Sequence, residues 1–431
     1  MLWFLYQFLF TIGFLLMLPK FLLRMRRRGG YGAHFAERLG SYAPDVAARL
    51  AETPRIWVHA VSVGEIYVAL GLIAEWRRRR PADRFVLSVT TSTGRALAEK
   101  NLPKEDVLVY FPVDFPPVVR RAMRAIRPRA LILIECELWP NLLRRAARAG
   151  VPIALINGRI SERSFRGYRK LRVFTRRLLP LAGRLCVQTA ADRDRLLELG
   201  APADRLVVTG SAKYEVAQRD ADAEAKARAA LRALGWPEDA PVLLGGSTWP
   251  GEEEALLDLL RELRGAFPAL RLVIAPRHAE RTESILPLLC ARGLSVARRS
   301  RPEPGAATPD VFLLDTTGEL KNFYAAADVI FVGKSLAEHG GQNPIEPALC
   351  GRAIVVGPNM ENFPAVMADF LQAEALVQVR DADGLERAAR ALLADPARRV
   401  NLGNRAVDLV REKSGALGRT ADLLEELIPR T

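Results

Sequence analysis

The stretch from Arg55 to Gly94, RIWVHAVSVGEIYVALGLIAEWRRRRPADRFVLSVTTSTG, decides the fold. It holds two short apolar runs, 55–60 and 85–90, separated by a helical segment that closes on arginines 77–80. Apolar runs of this length without polar alternation are typical of strands buried on both faces of a parallel sheet. The stretch therefore predicts a strand–helix–strand unit of an α/β domain.

The same alternation continues along the chain. Further strand-length runs lie at 107–111, 130–135, 152–156, 185–189 and 206–209, and, after a charged alanine-rich stretch at 215–240, at 241–246, 270–275, 310–314, 328–333 and 353–357. Two series of buried strands separated by helices predict two parallel sheets, and 431 residues suffice for two ordinary cores. We therefore expect two doubly wound Rossmann-like domains that face a cleft, with ligands at the carboxyl ends of the strands.

This pattern divides the chain into five segments. We expect an N-terminal membrane anchor with a basic flank at 1–28, a first Rossmann-like domain at 29–212, a linker at 213–240, a second Rossmann-like domain at 241–410, and a C-terminal helix at 411–431 that packs back on the first domain. The four cysteines show no C-x-x-C spacing, which argues against a disulfide framework and a zinc site. A reducing compartment suits such a chain.

The first 23 residues are nearly all apolar, and Arg24, Arg26, Arg27 and Arg28 follow at once. A secretory signal places its positive charge before the apolar run, so this order favours an uncleaved anchor. A helix of about 20 residues can just span a bilayer, and the arginines would hold the rest of the chain on the cytoplasmic side of the inner membrane. The alternative is an interfacial helix that lies flat.

Positive charge is concentrated in the front half. Residues 1–210 hold 36 Lys and Arg against 17 Asp and Glu, or +19, and residues 211–431 hold 27 against 32, or −5, which together give the net +14. Between Arg144 and Arg177 lie eleven basic residues and a single acid, Glu162. Because planar guanidinium groups suit phosphate, and because the chain carries an anchor, these charges favour an anionic lipid head group over nucleic acid.

Acidic residues follow two of the front strands. In Ser62-Val63-Gly64-Glu65, at a helix start, Glu65 can be a helix cap or a general base. Glu135-Cys136-Glu137 ends the run at 130–135, where a carboxylate requires either a salt bridge to an arginine or a functional reason. The turn Thr90-Thr91-Ser92-Thr93-Gly94-Arg95 supplies hydroxyl and backbone donors for sugar or phosphate oxygens.

Three turns of the back half could surround one nucleotide. In Gly340-Gly341-Gln342-Asn343-Pro344-Ile345-Glu346, the pattern predicts a helix with Asn343 as N-cap, Pro344 at its first position and Glu346 closing a capping box. Such an N-terminus also holds phosphate. Pro276-Arg277-His278 and Thr317-Gly318-Glu319 end two more strands. Neither a dinucleotide-binding glycine motif nor a P-loop occurs, so a glycosyltransferase of the two-Rossmann type is favoured.

In their order, these motifs resemble those of the 3-deoxy-D-manno-octulosonic acid (Kdo) transferases, membrane-bound enzymes of lipopolysaccharide synthesis. The resemblance covers the chain up to about residue 410 and rests on segments 31–34, 37–40, 59–65, 111–116, 135–140, 157–164, 210–213, 246–248, 276–278 and 340–347. It implies a metal-independent, cofactor-free inverting transferase of the GT-B fold. Such an enzyme moves Kdo from CMP-Kdo to the lipid A precursor lipid IVA, with no nucleic-acid partner.

Carried over residue by residue, the resemblance makes Glu65 the proton acceptor and makes Glu135 and Lys213 transition-state stabilisers. It assigns CMP binding to Pro276, Arg277, Thr317, Gly318, Glu319, Asn343, Pro344, Ile345 and Glu346. Further cleft residues are Ser62, Gly64, Thr91, Ser92, Glu137, Arg159, Arg163, Ser247, His278, Gly340, Gly341 and Gln342.

One departure is Gly210-Ser211-Ala212-Lys213, where the family more often has Gly-Asn-Leu-Lys. Two other functions stay open. One is a GT-B enzyme that uses another nucleotide sugar, and the other is a non-catalytic protein that binds anionic lipid.

Overall fold

A computed structural model describes residues 2–28, 34–216, 222–302 and 308–430. Residues 31–33 of the expected Tyr-Gly-Ala-His motif and residues 217–221 of the expected linker lie outside the described residues. The chain forms two compact units, Met1–Val216 with Ser414–Thr431, and Ala217–Lys413. Each unit is an α/β domain built on a parallel sheet, so the predicted fold class is confirmed.

The first unit holds seven parallel strands in the order β3-β2-β1-β4-β5-β6-β7. They are β1 (Ile56–Ala60), β2 (Phe85–Val89), β3 (Val107–Tyr110), β4 (Ala130–Ile134), β5 (Ile153–Gly158), β6 (Arg184–Val187) and β7 (Leu206–Val208). Ile56 of β1 lies opposite Phe85 on one side and Ala130 on the other. All five residues of β1, β2 and β4 are buried, as expected for strands covered by helices on both faces.

The helices of this unit connect the strands and cover the sheet. They are α1 (Leu2–Arg28), α2 (Pro44–Glu52), α3 (Val63–Arg79), α4 (Ser92–Asn101), α5 (Pro116–Ile126), α6 (Pro140–Arg148), α7 (Glu162–Lys170), α8 (Arg172–Leu178), α9 (Ala190–Leu199) and α10 (Lys213–Val216), with short 3-10 helices at Phe35–Leu39, Leu179–Leu181 and Ala203–Arg205.

The apolar N-terminal helix α1 packs against the first unit along one side. Trp3 contacts Phe174 edge to face, Phe10 contacts Phe115, and the Tyr6 hydroxyl donates to Asp114 at 2.9 Å. Within the described residues, no helix has both the length and the apolar character that crossing a bilayer requires.

The second unit repeats the architecture, with the strand order β10-β11-β9-β8-β12-β13-β14. Its strands are β8 (Val242–Thr248), β9 (Arg271–Pro276), β10 (Val296–Arg298), β11 (Val311–Leu313), β12 (Val329–Val332), β13 (Ala353–Val356) and β14 (Val377–Gln378). Its helices are α11 (Ala223–Ala233), α12 (Glu252–Leu263), α13 (Thr282–Ala291), α14 (Leu320–Phe323), α15 (Ile345–Ala348), α16 (Pro364–Gln372), α17 (Ala382–Ala394) and α18 (Pro396–Lys413), with 3-10 helices at Ala279–Arg281 and Tyr324–Ala326.

The last helix, α19 (Ala416–Leu427), returns to the first unit. Arg80 of the α3 segment donates to the Glu425 carboxylate at 2.9 Å, and the Leu417 N–H donates to Glu215 at 2.9 Å. The stretch expected as a linker holds two helices, α10 in the first unit and α11 in the second.

Candidate active site

Each sheet has one point where the chain leaves two neighbouring strands in opposite directions. In the first unit these strands are β1 and β4, and in the second they are β8 and β12. Ligands of open parallel sheets bind outside the carboxyl ends of strands at such a switch point. Glu65 and Glu135 follow β1 and β4, so the fold itself brings the two predicted acids to one edge of the first sheet.

Glu65 is a helix cap in the structure. Its carboxylate accepts hydrogen bonds from the Val61 N–H at 2.8 Å and the Ser62 N–H at 3.1 Å, and its own N–H donates to the Ser62 hydroxyl at 3.2 Å. The capping box read from Ser-x-x-Glu is therefore confirmed. Glu65 is 6% exposed, while Ser62, Val63 and Gly64 beside it are exposed to solvent.

Glu135 stands directly after β4 in a left-handed backbone conformation with φ of 58°. A non-glycine residue rarely adopts this conformation, and such strain concentrates at functional sites. Burial raises the pKa of the Glu135 carboxyl and the negative charge of Glu65 adds to this, while Lys213 and Arg159 oppose it. Among residues 2–28, 34–216, 222–302 and 308–430, no arginine forms a salt bridge with Glu135, and Arg159 acts on it only electrostatically.

Glu137 is the third acid of this group. Burial, followed by the negative charges of Glu65 and Glu135, raises its pKa to about 7. Carboxyls that titrate near neutral pH are suited to proton transfer. The sequence placed Glu137 in the site, but it did not indicate that three carboxyls would lie close enough to affect one another.

Lys213 supplies a cation to the same group. Burial lowers the pKa of its ammonium group, while the negative charges of Glu135 and Glu65 oppose that shift. The side chain of Asn157, a residue of β5 with φ of 50°, accepts a hydrogen bond from the Ala212 N–H at 3.0 Å. Asn157 thereby positions the loop that precedes Lys213. Sequence reasoning missed this role, because an asparagine inside a strand gives no local signal of it.

The remaining predicted residues of this unit follow the carboxyl ends of β1, β2 and β5. Ser62 and Thr91 are the N-caps of α3 and α4, Gly64 is in the first turn of α3, and Ser92 opens α4. Arg159 is half-buried and acts electrostatically on both Glu135 and Lys213. Arg163 is an exposed residue of α7, and among the residues that the structure describes it forms no ion pair with Glu65, Glu135 or Glu137.

In the second unit, the carboxyl ends of β8 and β12 are also strained, with φ of 55° at Ser247 and 58° at Lys334. The buried Glu252 carboxylate accepts hydrogen bonds from the Lys334 N–H at 2.8 Å, the Ser335 N–H at 2.9 Å and the Trp249 N–H at 2.9 Å. One side chain thus holds both strand ends in place. A Cβ added at Gly333 would lie 2.4 Å from the Ser247 carbonyl oxygen, so only glycine fits there.

The predicted nucleotide residues also belong to this unit. Pro276 ends β9, and Arg277 and His278 after it are exposed, with the His278 ring 5.6 Å from that of Trp249. Lys321 and Arg277 interact electrostatically with the carboxylate of Glu346.

Two further loops of this unit carry predicted nucleotide residues. Thr317 and Gly318 form an exposed turn, and Glu319 is paired with Arg299 at 2.8 Å. Gly340 and Gly341 have φ of 114° and 68°, as a tight loop before Gln342 requires.

The predicted helix start at Asn343 was wrong by one residue. Pro344 is the N-cap of α15, and the Asn343 side chain accepts from the Ile345 N–H at 3.1 Å in a local turn. The helix Ile345–Ala348 has only four residues, so it lacks the macrodipole that the phosphate argument requires.

No group of three or more His, Cys, Asp or Glu side chains that could hold a metal ion occurs in the described part of the chain. The predicted lack of a metal remains a prediction.

Comparisons with known proteins agree with this architecture. The family model described as 3-Deoxy-D-manno-octulosonic-acid transferase (kdotransferase) matches residues 33–216, and the model of Glycosyl transferases group 1 matches residues 308–408. Among solved structures, the glycotransferase of kitacinnamycin covers 88% of this chain and 100% of its own, with a TM-score of 0.55 and 18% identity. A glycosyltransferase from Rickettsia africae aligns over 88% of this chain and 100% of its own, with a TM-score of 0.58 and 11% identity. These likenesses show the GT-B fold.

Two curated relatives are similar over almost the full length. The 3-deoxy-D-manno-octulosonic acid transferase of Bordetella pertussis is 38% identical over 415 residues, which cover 94% of this chain and 94% of that protein. The protein of the same name from Haemophilus influenzae is 32% identical over 401 residues, or 93% of this chain and 92% of that protein. The chain therefore belongs to the 3-deoxy-D-manno-octulosonic acid transferase family of glycosyltransferases.

Proposed function

We propose that this enzyme transfers Kdo from CMP-Kdo to the phosphorylated lipid A precursor lipid IVA, by direct displacement with inversion at the anomeric carbon. One observation carries the proposal. In a chain of this family, Glu65, Glu135 and Lys213 interact electrostatically with one another at the switch point of the first sheet.

Glu65 takes the proton of the attacking sugar hydroxyl. Its two hydrogen bonds to Val61 and Ser62 occupy two of about four acceptor positions on a carboxylate, so the same group can cap the helix and accept a proton. The acceptor oxygen then bonds to the anomeric carbon of Kdo as the bond from that carbon to the CMP phosphate oxygen breaks. CMP leaves with the bonding electron pair.

The other residues stabilise charge that develops during this step. The negative charge of the Glu135 carboxylate stabilises the positive charge that develops on the sugar ring, as in other glycosyl transfers with an oxocarbenium-like transition state. Lys213 stabilises the negative charge on the departing phosphate. CMP binds Pro276, Arg277 and the turns 317–319 and 343–346. No metal and no cofactor takes part.

The enzyme acts at the cytoplasmic face of the inner membrane, and α1 attaches it there. Helix α1 presents exposed apolar side chains at helical spacing, namely Phe4, Phe8, Leu9, Ile12, Leu15, Leu16 and Met17. Its other side packs on the protein through Trp3, Tyr6 and Phe10. A helix with these two faces favours insertion flat into the interface rather than a span.

Incubation of the purified full chain with CMP-Kdo and lipid IVA in detergent tests the activity. We expect a product heavier by one or more Kdo units, with inverted anomeric configuration by NMR and an unchanged rate in EDTA. Lys213→Met should lower kcat on the order of 100-fold, because such charge stabilisation is typically worth that much. Lys100→Met, which changes an exposed lysine of α4, is the matched control. Transfer from a UDP-sugar instead, or no Kdo adduct at all, would refute the proposal.

A further inference from the structure

The first unit carries a second basic feature outside the acidic group. A cavity of about 240 Å³ lies between α1, α5 and α6. Its polar lining is Gln7, Arg120, Asn141, Arg144, Arg145 and Arg148. The three arginines of α6 begin one turn after its N-terminus, and at a rise of about 1.5 Å per residue Arg148 lies roughly 12 Å along the helix from Pro140. The cavity therefore extends away from the sheet edge that holds Glu65 and Glu135.

The four arginines of this cavity lack acidic partners. Within the described residues, none of them forms an ion pair, whereas Arg78, Arg184 and Arg195 of the same unit do. Burial and the positive charge of Arg148 lower the pKa of Arg144. Like charges one helical turn apart repel, so an anion is the partner that this arrangement lacks.

The acid closest to the cavity in the hydrogen-bond network is already occupied. The buried Asp114 carboxylate accepts from the Asn141 N–H, the Leu142 N–H and the Tyr6 hydroxyl, each at 2.9 Å. Its acceptor positions are therefore taken by neutral donors, and within the described residues it forms no ion pair with the four arginines.

The cavity also adjoins the exposed apolar side of α1. Gln7 of that helix donates to Asn141 at 3.4 Å, and the Arg144 guanidinium lies 4.6 Å from the ring centroid of Trp3. Phe4 and Phe8, next to these residues in α1, are 74% and 56% exposed. A ligand that matches both the arginines and the apolar side chains of α1 would carry a phosphate group next to a hydrocarbon chain.

We propose that this cavity binds the phosphate of an anionic phospholipid head group, with the acyl chains along the apolar face of α1. Paired guanidinium groups bind phosphate oxygens with good geometry, and the amide of Gln7 suits a glycerol hydroxyl. A cavity of about 240 Å³ has room for a phosphoglycerol group, and it extends along α6 away from the sheet edge that holds Glu65 and Glu135. The inference rests on the proposed membrane location.

Sedimentation of the full chain with vesicles tests the site. The cavity variant R120Q/R145Q/R148Q keeps Arg144, which packs on Trp3, and the control R78Q/R193Q/R430Q removes the same charge from exposed positions of the same unit. Each arginine near an anionic surface contributes about fivefold to binding. We expect binding to phosphatidylglycerol vesicles to fall on the order of 100-fold in the cavity variant and about threefold or less in the control, where distance and salt screen the charges. Pure phosphatidylcholine vesicles should not distinguish the variants.

Several outcomes would overturn the site. Equal losses in both variants would mean that general surface charge attracts the membrane. A raised KM for lipid IVA in detergent, with unchanged vesicle binding, would assign the cavity to the acceptor. Displacement of the vesicles by inorganic phosphate as readily as by glycerol phosphate would indicate an unspecific anion site, and duplex DNA that binds in their place would indicate nucleic acid. If wild-type protein binds vesicles as expected but transfers no Kdo, the proposed activity fails while the lipid site stands.

Discussion

Glu65→Gln separates the two roles that this residue has in the structure and in the proposed mechanism. Glutamine keeps the size of the side chain and one acceptor oxygen, but its NH₂ group cannot accept from a backbone N–H. One of the two bonds, to Val61 at 2.8 Å or Ser62 at 3.1 Å, is therefore lost. Loss of a capping bond costs about 1–2 kcal/mol, and a buried unpaired N–H lies at the upper end of that range. Glutamine also cannot take a proton, so transfer should fall about 10²–10⁴-fold.

Three measurements on one preparation distinguish these effects. They are the free energy of unfolding in urea, kcat with lipid IVA and CMP-Kdo in detergent, and CMP affinity by calorimetry. Asp381→Ala is the matched control, because it removes the N-cap of α17, where Asp381 accepts from the Gly384 N–H at 2.7 Å. The control should lose about 1 kcal/mol of stability and keep its kcat.

The role of Glu65 as a general base would be refuted if Glu65→Gln lost this stability yet transferred Kdo at more than about a tenth of the wild-type rate. Loss of a general base should lower the rate far more than that. If CMP affinity falls together with kcat and cooperative unfolding is lost, the residue is a structural cap. Retained CMP binding with lost transfer supports the proposed role.

Four further predictions follow from buried groups. The pKa of Glu137 is raised from 4.5 to about 7, so ionisation of this carboxyl destabilises the folded state as pH rises between these two values. The Tm should therefore fall over this pH range, and it should fall less in Glu137→Gln. Burial lowers the pKa of His59 from 6.5 to about 3, so unfolding should become easier as pH falls below 6.5, by about 1.4 kcal/mol per pH unit, and His59→Gln should lack that slope in urea titrations. Tyr6→Phe removes the hydrogen bond to Asp114 and should cost about 1 kcal/mol, with faster hydrogen exchange confined to α1. Gly333→Ala would bring a Cβ to 2.4 Å from the Ser247 carbonyl oxygen and should lower the Tm of the second unit, whereas Gly293→Ala, with no atom within 4 Å of the added Cβ, should be affected only through its positive φ.

The sheets could be predicted because their central strands are buried on both faces, which leaves a continuous apolar run such as IWVHA or ALILI. Two strands gave no such signal. Val296–Arg298 and Val377–Gln378 have three and two residues at opposite edges of the second sheet, and their side chains are not buried. Edge strands of that length carry too few apolar positions for a pattern.

The position of the acids could also be predicted, but their coupling could not. Glu65 and Glu135 each follow a buried strand in the sequence, and parallel strands bring their carboxyl ends to one edge. Strand order decides which strand ends are neighbours. Strand β1 pairs with β4, although the partners Ile56 and Ala130 are 74 positions apart in the sequence. This pairing brings Glu65 close enough for its charge to raise the pKa of Glu135 and Glu137. Burial is the larger cause of both shifts. The Asn343 cap was misplaced because Asn-Pro suits both a helix start and a local turn.

Backbone strain gives an independent reason to locate function at these strand ends. Glu135 and Asn157 in the first unit, and Ser247 and Lys334 in the second, have φ between 50° and 58°. Glycine would adopt this conformation at lower cost, so a side chain at each position adds about 1–3 kcal/mol of strain. Buried hydrogen bonds stabilise two of them, from Ala212 to the Asn157 side chain and from Lys334 to Glu252. A glycine at such a position would relieve the strain without disturbing the sheet. A strained side chain is therefore explained when the side chain itself has a function, as the proposed transfer requires of Glu135.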